Sequence, residues 1–131
     1  MEKELISHEE LSIAVLEKIA GEAGFKYEFI KEEQRLILRD KINVGLSLDE
    51  QKRFITLLML LSDDTGMDLP DIASRITARF SLIKATAKGN ILFISYDLWC
   101  EQGITKENLV SAVKAFIEIA SAAPAAVLQP G

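Results

Sequence analysis

The chain has 131 residues and a net charge of −5, with 49% apolar and 27% charged residues. That is the balance of one ordinary globular domain, and it excludes a disordered, fibrous or disulfide-stapled chain. Fifteen Lys and Arg scattered through an acidic sequence form no basic stripe, which argues against a nucleic-acid ligand. The single cysteine, Cys100, allows no internal disulfide and no multi-cysteine zinc site, which suits a reducing compartment.

The amino terminus, Met-Glu-Lys-Glu-Leu-Ile-Ser-His, carries acids where an export leader carries an apolar stretch, and no run approaches the roughly eighteen uninterrupted apolar residues of a membrane span. The expectation is a cytoplasmic protein without membrane contact.

The first element is a helix opening near Ser7, where Ser7-His8-Glu9-Glu10 fits a capping box. Leu11, Ala14, Val15 and Ile19 then give one apolar stripe, and Gly21 to Gly24 supply the stop. From Phe25 the period shortens to two: Phe25, Tyr27 and Phe29 alternate with Lys26 and Glu28, Lys31 to Gln34 form a charged turn, and Arg35 to Arg39 resume an extended pattern. Ile42 to Leu48 alternate again, either continuing that strand or starting another. Asp49 to Lys52 read as a turn into Arg53 to Ser62, the most apolar run of the chain.

Asp63-Asp64-Thr65-Gly66 end that run, and Asp68-Leu69-Pro70-Asp71 open a second helix with proline in the first turn and acids at the positive end of the dipole. Ile72, Ala73, Ile76 and Phe80 share one side of it. Leu82 to Lys88 form a strand, Gly89-Asn90 a tight turn, and Ile91 to Trp99 the returning antiparallel strand. Thr105 caps a last helix with the stripe Leu109, Val113, Phe116, Ile117 and Ala120. Residues 121–131, small and punctuated by Pro124 and Pro130, read as a loosely ordered tail behind a core of residues 8–120.

The predicted fold is therefore α+β in a single domain, with an antiparallel sheet of about five strands and three helices in the order α-β-β-β-α-β-β-α. No catalytic, cofactor or metal constellation accompanies it. His8, the only histidine, sits at a helix start beside Glu9 and Glu10, and Cys100 has no histidine nearby to activate it. The acids from Asp63 to Asp71 fail the EF-hand pattern. Counting from Asp63 the glycine and glutamate positions hold Asp68 and Ser74, and counting from Asp64 they hold Leu69 and Arg75. No glycine-rich phosphate loop occurs.

Strand parity is more informative. In Arg53 to Ser62, Ile55, Leu57, Met59 and Leu61 make one apolar face, yet Phe54, Leu58 and Leu60 put large apolar groups on the other. In Ile91 to Trp99 the face of Leu92, Ile94, Tyr96 and Leu98 is opposed by Ile91, Phe93 and Trp99. If the first and last helices share one side, the middle helix must shield the other, or apolar area remains for a partner or a second copy. Phe54, Leu58, Leu60, Phe93 and Trp99 are the predicted partner-binding residues, with Ile76 and Phe80 of the middle helix as alternatives. This predicts a non-enzymatic protein-binding module, acting as a homodimer. The competing expectation is a small-molecule-binding or enzymatic domain built on the acidic loop 63–71 and Cys100.

The run Lys84-Ala-Thr-Ala-Lys-Gly-Asn-Ile-Leu-Phe-Ile-Ser-Tyr-Asp-Leu98, followed by Gly103-Ile-Thr-Lys-Glu-Asn-Leu109, resembles the YbjN family across residues 8–120. That family consists of small bacterial proteins described as candidate sensory transduction regulators, which share the fold of type III secretion chaperones. The resemblance implies that fold and a regulatory or chaperone-like role. It carries over no functional residues, and a shared fold does not fix a function.

Overall fold

A computed structural model describes residues 5–62 and 67–128. Its order is β1 (Leu5–Ile6), α1 (Ile13–Glu22), β2 (Lys26–Ile30), β3 (Arg35–Arg39), β4 (Asn43–Leu48), β5 (Phe54–Ser62), α2 (Leu69–Arg79), β6 (Lys84–Lys88), β7 (Ile91–Trp99), β8 (Ile104–Thr105) and α3 (Lys106–Leu128). The architecture is the expected α+β fold with three helices and an antiparallel sheet. The sheet is larger than about five strands: six strands run in the order β2-β3-β4-β5-β7-β6, and β1 pairs separately with β8. Four strands, not three, lie between α1 and α2, because Asn43–Leu48 is a strand of its own, turned back on β3 through Asp40 and Lys41.

The Ile91 to Trp99 strand lies inside the sheet, paired along its whole length with β5. Since β7 is antiparallel to both neighbours, β5 and β6 are parallel with β7 between them, and α2 makes the crossover that parallel strands require.

Two helix boundaries differ from the sequence reading. Ser7 and Glu10 do interact, the Ser7 hydroxyl donating to the Glu10 carboxylate at 2.9 Å, but they close a short 3-10 turn at His8–Glu10. The cap of α1 is Ser12, whose hydroxyl accepts from the Val15 amide at 3.1 Å. The displacement follows from Leu11, which is fully buried and holds the chain extended between turn and helix. The second correction concerns residues 121–128, read as a loose tail: α3 continues through Pro124 to Leu128, with Ala120 and Ala123 fully buried. Proline removes one backbone hydrogen bond inside the helix. Burial of Ala123 and Val127 opposes that loss, as do Arg79 donating to the Ala126 carbonyl at 2.7 Å and Arg75 to that of Val127 at 3.4 Å.

One core joins all three helices to one face of the sheet. Leu36, Leu38, Val44, Leu46, Ile55, Leu57, Met59, Leu92 and Ile94 meet Leu16 and Ile19 of α1, Ile72 and Ile76 of α2, and Leu109, Val113 and Phe116 of α3. The helix α3 is apolar and long enough to cross a membrane, but here its apolar stripe is the centre of this core. The expected stripes of α2 and α3 are buried as read, apart from Phe80, which terminates α2 half-buried.

Candidate functional site

The middle helix does not cover the second face of the sheet. It packs alongside the outer edge of β6 and against α3, on the same side as the other two helices. Its Thr77 hydroxyl accepts from the Ala85 amide at 2.9 Å and donates to the Ala85 carbonyl at 3.1 Å, so α2 closes one edge of the sheet, and among the described residues no helix lies on the face opposite the core. Ile76, one alternative for a partner surface, is fully buried and unavailable; Phe80 keeps partial exposure only.

All five predicted partner-binding residues lie on the bare face. The register pairs Phe54 with Trp99, Thr56 with Asp97, Leu58 with Ser95 and Leu60 with Phe93. Trp99 is 56% exposed and Leu60 50%, while Phe54, Leu58 and Phe93 are half-buried by their neighbours. The structure divides the five into two groups. Phe54 and Trp99 stack at one end with ring centroids 6.5 Å apart and planes 17° from parallel. At the other end Leu58, Leu60 and Phe93 join Ile37 and Ile91. A polar row separates them, in which the Thr56 hydroxyl donates to Asp97 at 2.8 Å and Lys84 approaches the same carboxylate at 3.7 Å.

The second group borders an open trough of about 290 Å³ lined by Arg35, Ile37, Arg39, Asn43, Gly45, Leu58 and Leu60. Gly45 is what makes it. A Cβ there would stand 2.9 Å from Cδ of Arg35, so the glycine lets the arginine stem lie across β4 with its guanidinium at the trough. Strand-only reasoning about large apolar residues missed Arg35, Arg39 and Gly45. The signal was present in Arg35-Leu-Ile-Leu-Arg39, where both arginines share the parity of Ile37 and therefore the face of Leu58.

Charge on this face is opposite to that of the whole chain. At the strand positions of this face stand Lys26, Arg35, Arg39, Lys84 and Lys88 with Glu28 and Asp97, three positive charges net, which Glu33 beside Arg35 reduces to two, in a chain whose total is −5. Of these, Arg39 is paired with Glu28 at 2.5 Å and Arg35 stands 3.6 Å from Glu33.

The competing site does not assemble in the described residues. Asp63 and Asp64 lie outside them. Asp68 caps α2, accepting from the Asp71 amide at 3.2 Å, and Asp71 pairs with Arg75 at 3.0 Å. Cys100 is fully buried, with its thiol donating to the Leu98 carbonyl at 3.2 Å; burial pushes the thiol pKa up, away from the thiolate a nucleophile needs. His8 opens the 3-10 turn His8–Glu10 ahead of α1, and among the described residues no group of three or more His, Cys, Asp or Glu could hold a metal ion.

An antiparallel sheet with three helices on one side and a mixed basic and apolar face on the other defines the class of fold, a two-layer α+β domain. No protein-family model and no curated protein sequence matches the chain. Among solved structures, the crystal structure of YbjN, a candidate transcription regulator from E. coli, superposes with a TM-score of 0.73 at 18% identity, covering 87% of this chain and 89% of that one. The chain thus has the YbjN fold, as the resemblance implied.

Proposed function

We propose that this protein is a non-enzymatic binding module, regulatory or chaperone-like, that acts as a homodimer and takes an acidic protein segment with apolar anchors on its open sheet face. The observation carrying this reading is the face itself: three helices crowd one side of the sheet, and the other carries two apolar groups, parted by a polar row, with positive charge around them. Exposed apolar groups of this density mark interaction surfaces. The basic rim selects against basic or neutral segments and steers acidic ones. The YbjN neighbour, a candidate regulator, agrees with a regulatory role, and the single buried thiol suits the cytoplasm.

Trp99 is the only tryptophan, so intrinsic tryptophan emission reports on this face alone. Titration with synthetic peptides alternating Leu or Phe with Glu or Asp is expected to shift that emission to the blue, with affinity falling as salt is raised. Leu60→Asp is expected to abolish the shift, and peptides alternating with Lys to give none. Equal responses to acidic and basic peptides, or an unchanged response in Leu60→Asp, would remove the face as the site. A response to oligonucleotides in place of acidic peptides would assign the positive rim to phosphate.

A further inference from the structure

The two edges of the sheet are treated differently by the fold. At β6 the outward amide and carbonyl of Ala85 are taken by Thr77. At the other edge, β2 has β3 as its sole neighbour, and among the described residues its outer side meets no hydrogen-bonding partner. An open edge is a template for another strand unless something blunts it. Blunting is incomplete here: Tyr27 and Phe29, on the core-side parity, remain 40% and 38% exposed, although the Tyr27 ring lies beside Gly21 of α1.

We propose that a second copy of this chain covers this edge, the two β2 strands pairing antiparallel about a twofold axis through Tyr27. The inference rests on the dimeric reading above and gives it a location. The occupant is identified by charge and side-chain complementarity. Phe25-Lys26-Tyr27-Glu28-Phe29 has the same chemical order in both directions at its aromatic positions and opposite charges at the two between. With Tyr27 on the axis, Phe25 faces the partner's Phe29 on the core side of the sheet, and Tyr27 faces its own copy. On the open side Lys26 faces the partner's Glu28, twice by symmetry. Neighbouring registers are rejected by charge: centring on Glu28 sets two carboxylates directly opposite, and centring on Lys26 sets two ammonium groups opposite, both destabilising on an antiparallel pair. Lys26 has no ion-pair partner among the described residues, whereas Glu28 holds Arg39, so the pairing places a free cation beside a carboxylate that can accept a second one.

The twofold axis of such a pair stands perpendicular to the sheet. Both copies therefore present their open faces to the same side, and the two six-stranded sheets become one continuous surface.

Sedimentation or light scattering from low to high micromolar concentration tests this. The wild type is expected to move to twice the chain mass of 14.5 kDa. Lys26→Glu and Glu28→Lys, both at exposed positions, each set like charges opposite in both symmetric pairs and are expected to shift the dimer midpoint upward by about tenfold or more. Mixing the two variants restores opposite charges in both pairs and is expected to give a heterodimer at the wild-type midpoint. A wild-type dimer indifferent to both reversals, or variants that fail to associate when mixed, would overturn the seam while leaving the dimeric reading intact. A monomeric wild type would overturn both and leave the peptide titrations to decide the open face separately.

Discussion

Replacing Thr77 with valine tests whether a helix closes the far edge of the sheet. Valine keeps the β-branched shape and removes only the hydroxyl that bridges the Ala85 amide and carbonyl at 2.9 and 3.1 Å. Each neutral hydrogen bond contributes about 1 kcal/mol net, and a buried polar group left without a partner costs about 1–3 kcal/mol. Ala85 is buried but borders an open hollow between α2 and β6, where water can replace part of the lost bonding, so the lower end applies. The expected loss is about 2 kcal/mol in urea denaturation, and at this chain length about 6–10 °C in Tm. Thr77→Ser, which keeps the hydroxyl, is expected to recover most of it, and in hydrogen exchange the Ala85 amide is expected to lose protection selectively in the valine variant. A valine variant within about 0.5 kcal/mol of wild type, with the Ala85 amide still slow to exchange, would refute the idea that this hydroxyl closes the edge.

Phe116, fully buried where α3 meets the sheet, is expected to cost about 3–5 kcal/mol when changed to alanine, measured by the same urea titration. Leu60→Asp and Trp99→Ala act on exposed groups and are expected to move stability by no more than about 0.5 kcal/mol while removing peptide binding, followed by titration calorimetry because Trp99→Ala takes away the fluorescent reporter, so melting curves beside binding curves separate surface from core. Asp49 titration gives a pH signature. Burial opposes its charge, but the amides of Phe54 and Arg53, with the Arg53 side chain, outweigh that and hold its carboxyl below the ordinary range. A depressed folded-state pKa contributes stability that is present above the unfolded-state pKa and lost as pH falls through the folded one. Asp49→Asn is therefore expected to melt lower than wild type at neutral pH, with the difference narrowing in acid; a constant difference would show that the charge plays no part.

Much of this architecture is written locally. The alternation of Ile55, Leu57 and Met59 with Phe54, Leu58 and Leu60 sets two faces by the period of a strand alone, and the register confirms which residues share each face. The stripe Leu109, Val113, Phe116, Ile117 and Ala120 is likewise read from helical spacing. The placement of α2 is not local. An amphipathic pattern tells which side of a helix is buried but not which side of a sheet receives it, and only the parallel relation of β5 and β6 across β7 decides that. The last turns of α3 were hidden because alanines and Pro124 read as breakers or fraying, whereas Ala120 and Ala123 are small contact residues in a tight core. The pair β1–β8, two residues on each strand, is too short to have a period. Ser7 misled because its residue pattern is that of a cap and it does make a turn; the burial of Leu11 moved the helix start to Ser12.

The lone cysteine has a use beyond its packing. Cys100 directly follows Trp99 at the end of β7, fully buried, with its amide donating to the Arg53 carbonyl at 2.6 Å across from β5. A thiol reagent can reach it only when that corner of the sheet parts, so the rate of modification counts opening events at the foot of the Phe54–Trp99 stack, one per molecule and without background from any second thiol. Cys100 is thus a built-in clock: an occupant holding the two strands together slows it, and one that pries them apart makes it run fast.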